Sequence, residues 1–275
     1  MIKRDKARIV NGWGNLYGAW HQNRPQETMN YDENRPRGIL KHFIKYFWTY
    51  EHTGEDADYT ILPDACFDLL ADFEGGVLQN VILTGIWTKP VKVTVTKGTT
   101  LLAVRFKILA AEYLFRREIR SLLNTMISLP TDFWNLHSYH STEFEKFAEN
   151  LSSHMVMSLK QLGDMDKRKI KLFEIISREE CTSVKELSEK VAWSSRQINR
   201  YFNRQFGFPL KTYLNMVRCN AAYRDISQGR LHPTQEYTDQ AHFIKEVKKF
   251  TKETPRQLYK NENDRFLQLS VLARK

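Results

Sequence analysis

The stretch "SSRQINRYFNRQFG", Ser194 to Gly207, admits few structures. Ile198, Tyr201, Phe202 and Phe206 recur at i, i+3, i+4 and i+8, the spacing of a helical face that must be buried. Ser194 with Gln197 three residues later reads as a capping box that opens the helix, and Gly207 stands where a helix stops. Between the apolar positions lie Arg196, Asn199, Arg200, Asn203 and Arg204, with no acidic residue among them. A solvated helix ordinarily mixes both signs of charge. A face made only of guanidinium and amide groups suits an anionic partner with hydrogen-bonding edges.

The neighbouring sequence strengthens that reading. Ser183-Val184-Lys185-Glu186 is a second capping box, opening a short helix that runs through Val191, and only Ala192-Trp193 separates the two helices. Such a corner is a helix-turn-helix, whose second helix is the one laid in a DNA groove. An internal repeat follows at an offset of 45 residues: "DQAHFIKEVKKFTKETPRQL" (Asp239 to Leu258) lines up with "SSRQINRYFNRQFGFPLKTY" (Ser194 to Tyr213). Phe243 matches Ile198, Lys245 matches Arg200, Val247 matches Phe202, Lys249 matches Arg204, and Asp239 takes the N-cap place of Ser194. Between the copies, "KTYLNMVRCNAAYRDIS" (Lys211 to Ser227) is a candidate helix of 17 residues. At ~25 Å long it would set two reading helices near one DNA turn apart, ~34 Å.

Charge divides the chain of 275 residues, which is long enough for two domains with their own cores. Residues 1–160 hold 19 Lys+Arg and 18 Asp+Glu, a net of +1, whereas residues 161–275 hold 23 and 14, a net of +9. Only the second part is therefore expected to meet a polyanion. The three cysteines, Cys66, Cys181 and Cys219, are far apart and form no C-x-x-C, so neither a disulfide framework nor a thiolate zinc site is encoded. The N-terminal "MIKRDKARIV" leads into "NGWGNLYG" without the apolar core of an export signal, and no run approaches ~18 apolar residues. A soluble cytoplasmic protein with no membrane partner is the expectation.

The first 108 residues read as strand and loop. "YTILPDACFDLLADF" (Tyr59 to Phe73) is an apolar run broken by Pro63, and "VKVTVT" (Val91 to Thr96), the turn Lys97-Gly98 and "TTLLAVRFKI" (Thr99 to Ile108) predict a hairpin. From Leu109 the pattern becomes helical, over "LAAEYLFRREIRSLLN" and then "STEFEKFAENLSSHMVMSLKQL".

The run "LSEKVAWSSRQINRYFNRQFGFPLKTYLNMVRCNAA" together with "DQAHFIKEVKKFTKETPRQL" resembles the DNA-binding domain of AraC/XylS-type bacterial transcription regulators, over about residues 167–260. The resemblance implies two helix-turn-helix units that read successive major-groove segments. Carried over by position, Arg196, Asn199 and Arg200 of the first reading helix, and Gln240, Ile244 and Lys245 of the second, would face base edges. Arg and Lys suit guanine, Asn and Gln suit adenine, and Ile244 could touch a thymine methyl. Arg204, Lys211, Lys248 and Lys249 would contact phosphates. The chain departs from the family pattern at three points: Lys252 replaces a glycine, Pro209 comes one residue early, and Glu236-Tyr237 replaces a glycine-aromatic pair. The stretch before the second reader, "QGRLHPTQEY" (Gln228 to Tyr237), is about five residues short and contains Pro233, so it cannot hold that unit's usual first helix. More weakly, "YTILPDACFDLLADF", "LTGIWTKPV" and "LLAVRFKILAAEYLF" resemble the sensor-like β-domain found in one subgroup of these regulators, with Ala65 where its Pro-Asp-Gly-Cys-x-Asp-Leu signature has glycine.

Other motifs have plainer readings. His242 is a packing or capping residue, since Phe243 takes the buried position of Ile198; His137-x-x-His140 lacks further metal ligands. Asp64, Asp68 and Asp72 would share a helical face as a paired-carboxylate site, yet Pro63 and the strand-like surroundings make Asp64 and Asp68 turn-forming or backbone-bonding groups. The aromatics Trp13, Tyr17, Trp20, Phe43, Tyr46, Phe47, Trp48, Phe67 and Trp87 are mostly core, with some available to line a ligand pocket. No G-x-S-x-G, G-x-G-x-x-G, phosphate-cradling loop or H-E-x-x-H is present.

The expectation is an α+β two-domain protein: a β-rich, barrel-like regulatory domain with trailing helices over residues 1–160, and an all-α double helix-turn-helix domain over residues 165–275. It is a sequence-specific transcription regulator, not an enzyme, with no cofactor and no metal. Its partner is double-stranded DNA, with room for RNA polymerase, a small-molecule effector and a second copy of the chain. The competing readings are a small-molecule enzyme targeted to DNA, with catalysis in the N-terminal domain, and a DNA-binding scaffold that senses nothing.

Overall fold

A computed structural model of the chain describes residues 29–178, 183–232, 237, 239–261 and 265–273. Trp13, Tyr17, Trp20, Cys181, Pro233 and Glu236 lie outside the described residues. Pro63 divides the apolar run beginning at Tyr59. β3 (Ala57–Ile61) ends before it and β4 (Cys66–Glu74) begins after it. Six antiparallel strands form the main sheet in the order β1 (Met29–Asn34), β2 (Ile44–His52), β7 (Thr100–Lys107), β4, β5 (Val77–Thr84), β8 (Met126–Leu129). β3 pairs with β6 (Val91–Val95) in a separate two-stranded ribbon.

Two sequence expectations need correction. Residues 91–108 do not form a hairpin: both strands exist, but β6 pairs with β3, while β7 runs between β2 and β4. The burial pattern explains why. Leu102, Ala103, Val104 and Phe106 of β7 are buried in succession, which demands a central strand covered on both faces, whereas β6 alternates half-buried and exposed positions. The turn at Lys97-Gly98 therefore carries the chain from one sheet to the other, with Gly98 at φ 80°. The long helix expected over residues 109–124 is a single turn, α1 (Ala110–Tyr113). Arg116 adopts φ 52°, and the Ile119 N–H donates to Gln205 O at 2.9 Å instead of to a helical acceptor.

The face of the main sheet bearing Phe47, Phe67, Leu69 and Phe106 is covered by α2 (Phe144–Lys160), whose Phe147 ring meets that of Phe47 edge-on at 6.4 Å. The same buried cluster continues into α3 (Lys167–Ser177), α4 (Val184–Val191), α5 (Ser195–Phe206) and α6 (Leu210–Ser227). α7 (Gln240–Thr251), α8 (Pro255–Lys260) and α9 (Leu267–Ala273) complete the helical part. The fold is thus a β-rich sheet domain with trailing helices, followed by an all-α region.

The opposite face of the main sheet packs a second cluster, with Trp48, Tyr50 and Ala103 against Tyr59 and Val93 of the ribbon. α9 returns from the far end of the chain to this cluster. Leu62 N donates to Gln268 Oε1 at 3.0 Å, Gln268 Nε2 donates back to Leu62 O at 2.8 Å, and Leu267 and Val271 pack beside Trp48. Charge and periodicity gave no sign of this return.

Candidate nucleic-acid interface and the cavity behind it

α4 and α5 are held at a fixed angle by local chemistry. Ser183 Oγ accepts from Glu186 N, α4 ends with Ala192 in the left-handed region at φ 51°, and the Arg168 guanidinium lies 5.3 Å from the Trp193 ring centroid. α5 opens on a complete capping box: Ser194 Oγ accepts from Gln197 N at 3.3 Å, and Gln197 Oε1 accepts from Ser194 N at 3.1 Å. It closes on Gly207 at φ 85°. Ile198, Tyr201, Phe202 and Phe206 are buried, with the Phe202 ring 5.7 Å from Phe173 and 5.1 Å from Phe206.

The opposite face exposes Arg196, Arg200 and Arg204, each four residues after the last. Asn199 behaves differently. Its Nδ2 donates to Ser195 O at 3.0 Å and its Oδ1 accepts from Leu210 N at 3.2 Å, so the amide fastens α5 to the first turn of α6. Lys211 is exposed just beyond that junction.

α7 repeats the plan. Asp239 caps it by accepting from His242 N at 2.7 Å, Phe243, Val247 and Phe250 are buried, and Lys245, Lys248 and Lys249 are exposed. Ile244 is half-buried, and Gln240 Nε2 donates to Leu231 O at 2.9 Å, which ties the helix to the preceding turn. Lys249 Nζ lies 3.9 Å from Glu246 Oε1, and Arg204 Nε lies 3.6 Å from Glu118 Oε1. No ion pair among the described residues engages Arg196, Arg200, Lys211, Lys245 or Lys248. Lys252, at the position of the family's glycine, adopts φ 65°. Among the described residues between Ser227 and Gln240 there is no helix; Tyr237 is buried there, its ring 4.9 Å from that of Phe243. The Tyr237 ring also lies 5.8 Å from His242.

With this geometry in place, comparison with known proteins is decisive at the C-terminal end. Residues 187–261 match the family model described as a helix-turn-helix domain. This segment is an AraC-type helix-turn-helix domain. It makes the chain a DNA-binding transcription regulator. Residues 32–128 match a domain of unknown function, DUF6597. No curated protein matches the chain. Among solved structures, it is similar to ToxT from Vibrio cholerae O395 bound to (E)-4-(8-methylnaphthalen-1-yl)but-3-enoic acid. The identity is 11%, over 89% of this chain and 98% of that one, with a TM-score of 0.39. It is also similar to unsaturated fatty acid bound ToxT from strain SCE256, at 9% identity over 86% and 97% of the two chains and a TM-score of 0.34.

Behind the AraC-type domain, between the main sheet and the ribbon, lies a cavity of about 1600 Å³. Strand register arranges its floor. Tyr46, Arg105 and Asp68 stand side by side on β2, β7 and β4, and the adjoining row is Trp48, Ala103, Leu70 and Ile82. The first row is polar and the second apolar. Arg105 donates through Nε and Nη2 to both oxygens of Asp68 at 3.0 and 3.1 Å, pairs with Asp64 at 2.9 Å, and donates to Tyr46 Oη at 3.0 Å. Trp48 Nε1 donates to Asp68 Oδ1 at 3.1 Å, and Asp64 Oδ1 accepts from Cys66 N at 3.1 Å. Burial opposes the Arg105 charge, but Asp64 and Asp68 outweigh it and hold the guanidinium protonated; burial raises the Asp68 pKa, and Arg105 limits the rise. Sequence reasoning found both aspartates but missed their partner. The available signal was one arginine in the otherwise apolar "TTLLAVRFKI".

The cavity wall also takes Arg224 from α6 and Leu267, Gln268 and Val271 from α9, so both parts of the molecule contribute to it. Burial pushes the Cys66 thiol up to about 11, which leaves it protonated at neutral pH rather than a nucleophile. His140 Nδ1 lies 3.0 Å from Thr142 Oγ1, and no group of three or more metal-ligating side chains occurs among the described residues. No helix among them is long and apolar enough to cross a membrane.

Proposed function

We propose that this regulator reads two successive major-groove segments. The observation that carries the reading is the shared plan of α5 and α7, each capped, buried on one face and basic on the other, in the register of the 45-residue repeat. α6, with 18 residues between them, spans roughly 27 Å. Arg196 and Arg200 are the base-reading candidates on α5, with Lys245 and Ile244 on α7. Arg204, Lys211, Lys248 and Lys249 neutralise phosphates and make affinity salt-dependent. Asn199 and Gln240, whose amides already hold neighbouring backbone, support the readers and reach bases only by giving up those bonds.

Residues 1–160 form the regulatory part and residues 165–275 the DNA-binding part in this reading. The cavity is the site for a small ligand. Asp64 and Asp68 are both engaged by Arg105, which leaves no paired carboxylate for acid/base work and favours binding over catalysis. Because α6 and α9 help to wall the cavity, an occupant would touch the DNA-binding part directly. Replacing Arg200 by Ala should cost ~1–3 kcal/mol at one matched base pair, while replacing Lys248 by Ala should weaken binding evenly across sequences. Unchanged base preference in the first variant, together with an unchanged salt slope in the second, contradicts the reading.

A further inference from the structure

The loop that follows α1 belongs to the β-rich part of the chain, yet it is fastened to the C-terminal half of α5. Ile119 N donates to Gln205 O at 2.9 Å, and Gln205 Nε2 donates to Arg117 O at 2.6 Å. Gln205 and Ile119 are buried, and Tyr201 Oη donates to Glu112 Oε2 at 2.9 Å. The loop also lies close against Gly207, where an added Cβ would stand 3.2 Å from Arg120 Cβ, tighter than an ordinary contact. These contacts fasten the loop to the reading helix. The same loop exposes Arg116, Arg117 and Arg120.

Glu118 links one of these arginines, Arg120, to the helix. Its carboxylate lies 3.3 Å from Arg120 Nε and 3.6 Å from Arg204 Nε. The row Arg196, Arg200, Arg204 on α5 is thus continued by Arg120 of the loop, interrupted by one acid. Residues 1–160 carry a net charge of only +1, so three arginines within five residues beside a DNA-reading helix stand apart from the rest of that part. Arginine is a common donor to phosphate oxygens, and such contacts position a protein on the duplex without reading its sequence.

We infer that the loop Arg116–Arg120 is a phosphate-binding extension of the first reading helix, through which the β-rich part itself grips DNA backbone beside the first reading segment. The inference rests on the assignment of α5 as a DNA-reading helix. Its test uses the full-length protein on a duplex carrying its selected motif and on a scrambled duplex, with Kd measured across a salt series. The triple variant Arg116→Gln, Arg117→Gln, Arg120→Gln should make the slope of log Kd against log salt shallower by about 2–3, equally on both duplexes, with the selected motif unchanged. Gln205 bonds the carbonyl of Arg117 and not its side chain, so the docked loop survives these changes; thermal unfolding of the variant checks that. Glu118→Gln should act in the opposite direction and tighten binding to both duplexes.

An unchanged slope in the triple variant overturns the inference, as does tighter binding, which would mean that the loop obstructs DNA. The two assignments separate cleanly. A parent protein that selects a motif while the triple variant keeps its slope contradicts the loop alone. A parent protein that selects no motif contradicts α5 as a reader, whatever the loop does.

Discussion

Removing Arg105 should damage the protein more than removing any exposed charge. Its guanidinium makes a bidentate contact with Asp68, an ion pair with Asp64 and a hydrogen bond to Tyr46, and only 14% of its side chain is exposed. Asp64 and Asp68 are themselves 9% and 13% exposed, so water cannot replace the lost partner. In the variant Arg105→Leu, two adjacent buried carboxylates are left facing an apolar side chain, a situation that costs about 3–5 kcal/mol. Against a total stability of roughly 5–15 kcal/mol, the variant should remain foldable but visibly weakened. Urea unfolding followed by tryptophan fluorescence measures this, with Trp48 as a local reporter because its indole donates to Asp68.

The pH dependence supplies the signature. Burial already raises the native Asp68 pKa, and without Arg105 to limit it that pKa rises further, so the native state of the variant gains stability as pH falls through the raised value. The deficit should therefore be larger near about pH 8 than near about pH 5. Adding Asp64→Asn and Asp68→Asn should recover most of the loss, since each amide can still accept from Cys66 N or Trp48 Nε1 without a buried charge. A deficit below about 1 kcal/mol, as for an exposed pair, or one that widens at low pH, refutes this reasoning.

Three further outcomes follow from the same geometry. Asn199→Ala should lower stability by about 1–2 kcal/mol through the lost bonds to Ser195 and Leu210 while leaving the selected DNA motif unchanged; an altered base at one position with undiminished stability would show that Asn199 reads DNA. Lys252→Gly should raise stability by about 1 kcal/mol, or ~2–4 °C in Tm, because the residue sits at φ 65°, where glycine is unstrained; an unchanged or lower Tm contradicts the strain. Asp166 caps α3 and accepts from Arg168, which holds its carboxyl below the usual range, so its contribution is complete above the ordinary Asp pKa and is lost as pH falls through the depressed one. Asp166→Asn should flatten that acid limb of the stability curve.

The helical part was legible because its signals are local. Ser194, Gln197 and Gly207 fix both ends of α5, and Ile198, Tyr201, Phe202 and Phe206 fix its buried face, so a window of 14 residues suffices. α7 could be placed by its repeat of that pattern. What escaped depends on contacts between distant residues. "VKVTVT" and "TTLLAVRFKI" look like a hairpin, and only the company of β2 and β4 shows why β7 must leave β6. Residues 109–124 carry a helical pattern, but Gln205, 86 positions beyond Ile119, draws the backbone away. The ion cluster likewise joins Asp68 of β4 to Arg105 of β7, a pairing set by register, with Asp64 added from the loop before β4. For α9, nothing near Gln268 announces that its amide will bond both backbone groups of Leu62.

The most direct test is selection of bound duplexes from a random pool by the full-length protein, followed by sequencing. Two reading helices joined by α6 predict an enriched motif of two short segments whose centres lie about one helical turn apart. A single short segment would remove α7 from the readers. No enrichment at all would contradict sequence-specific recognition by this chain.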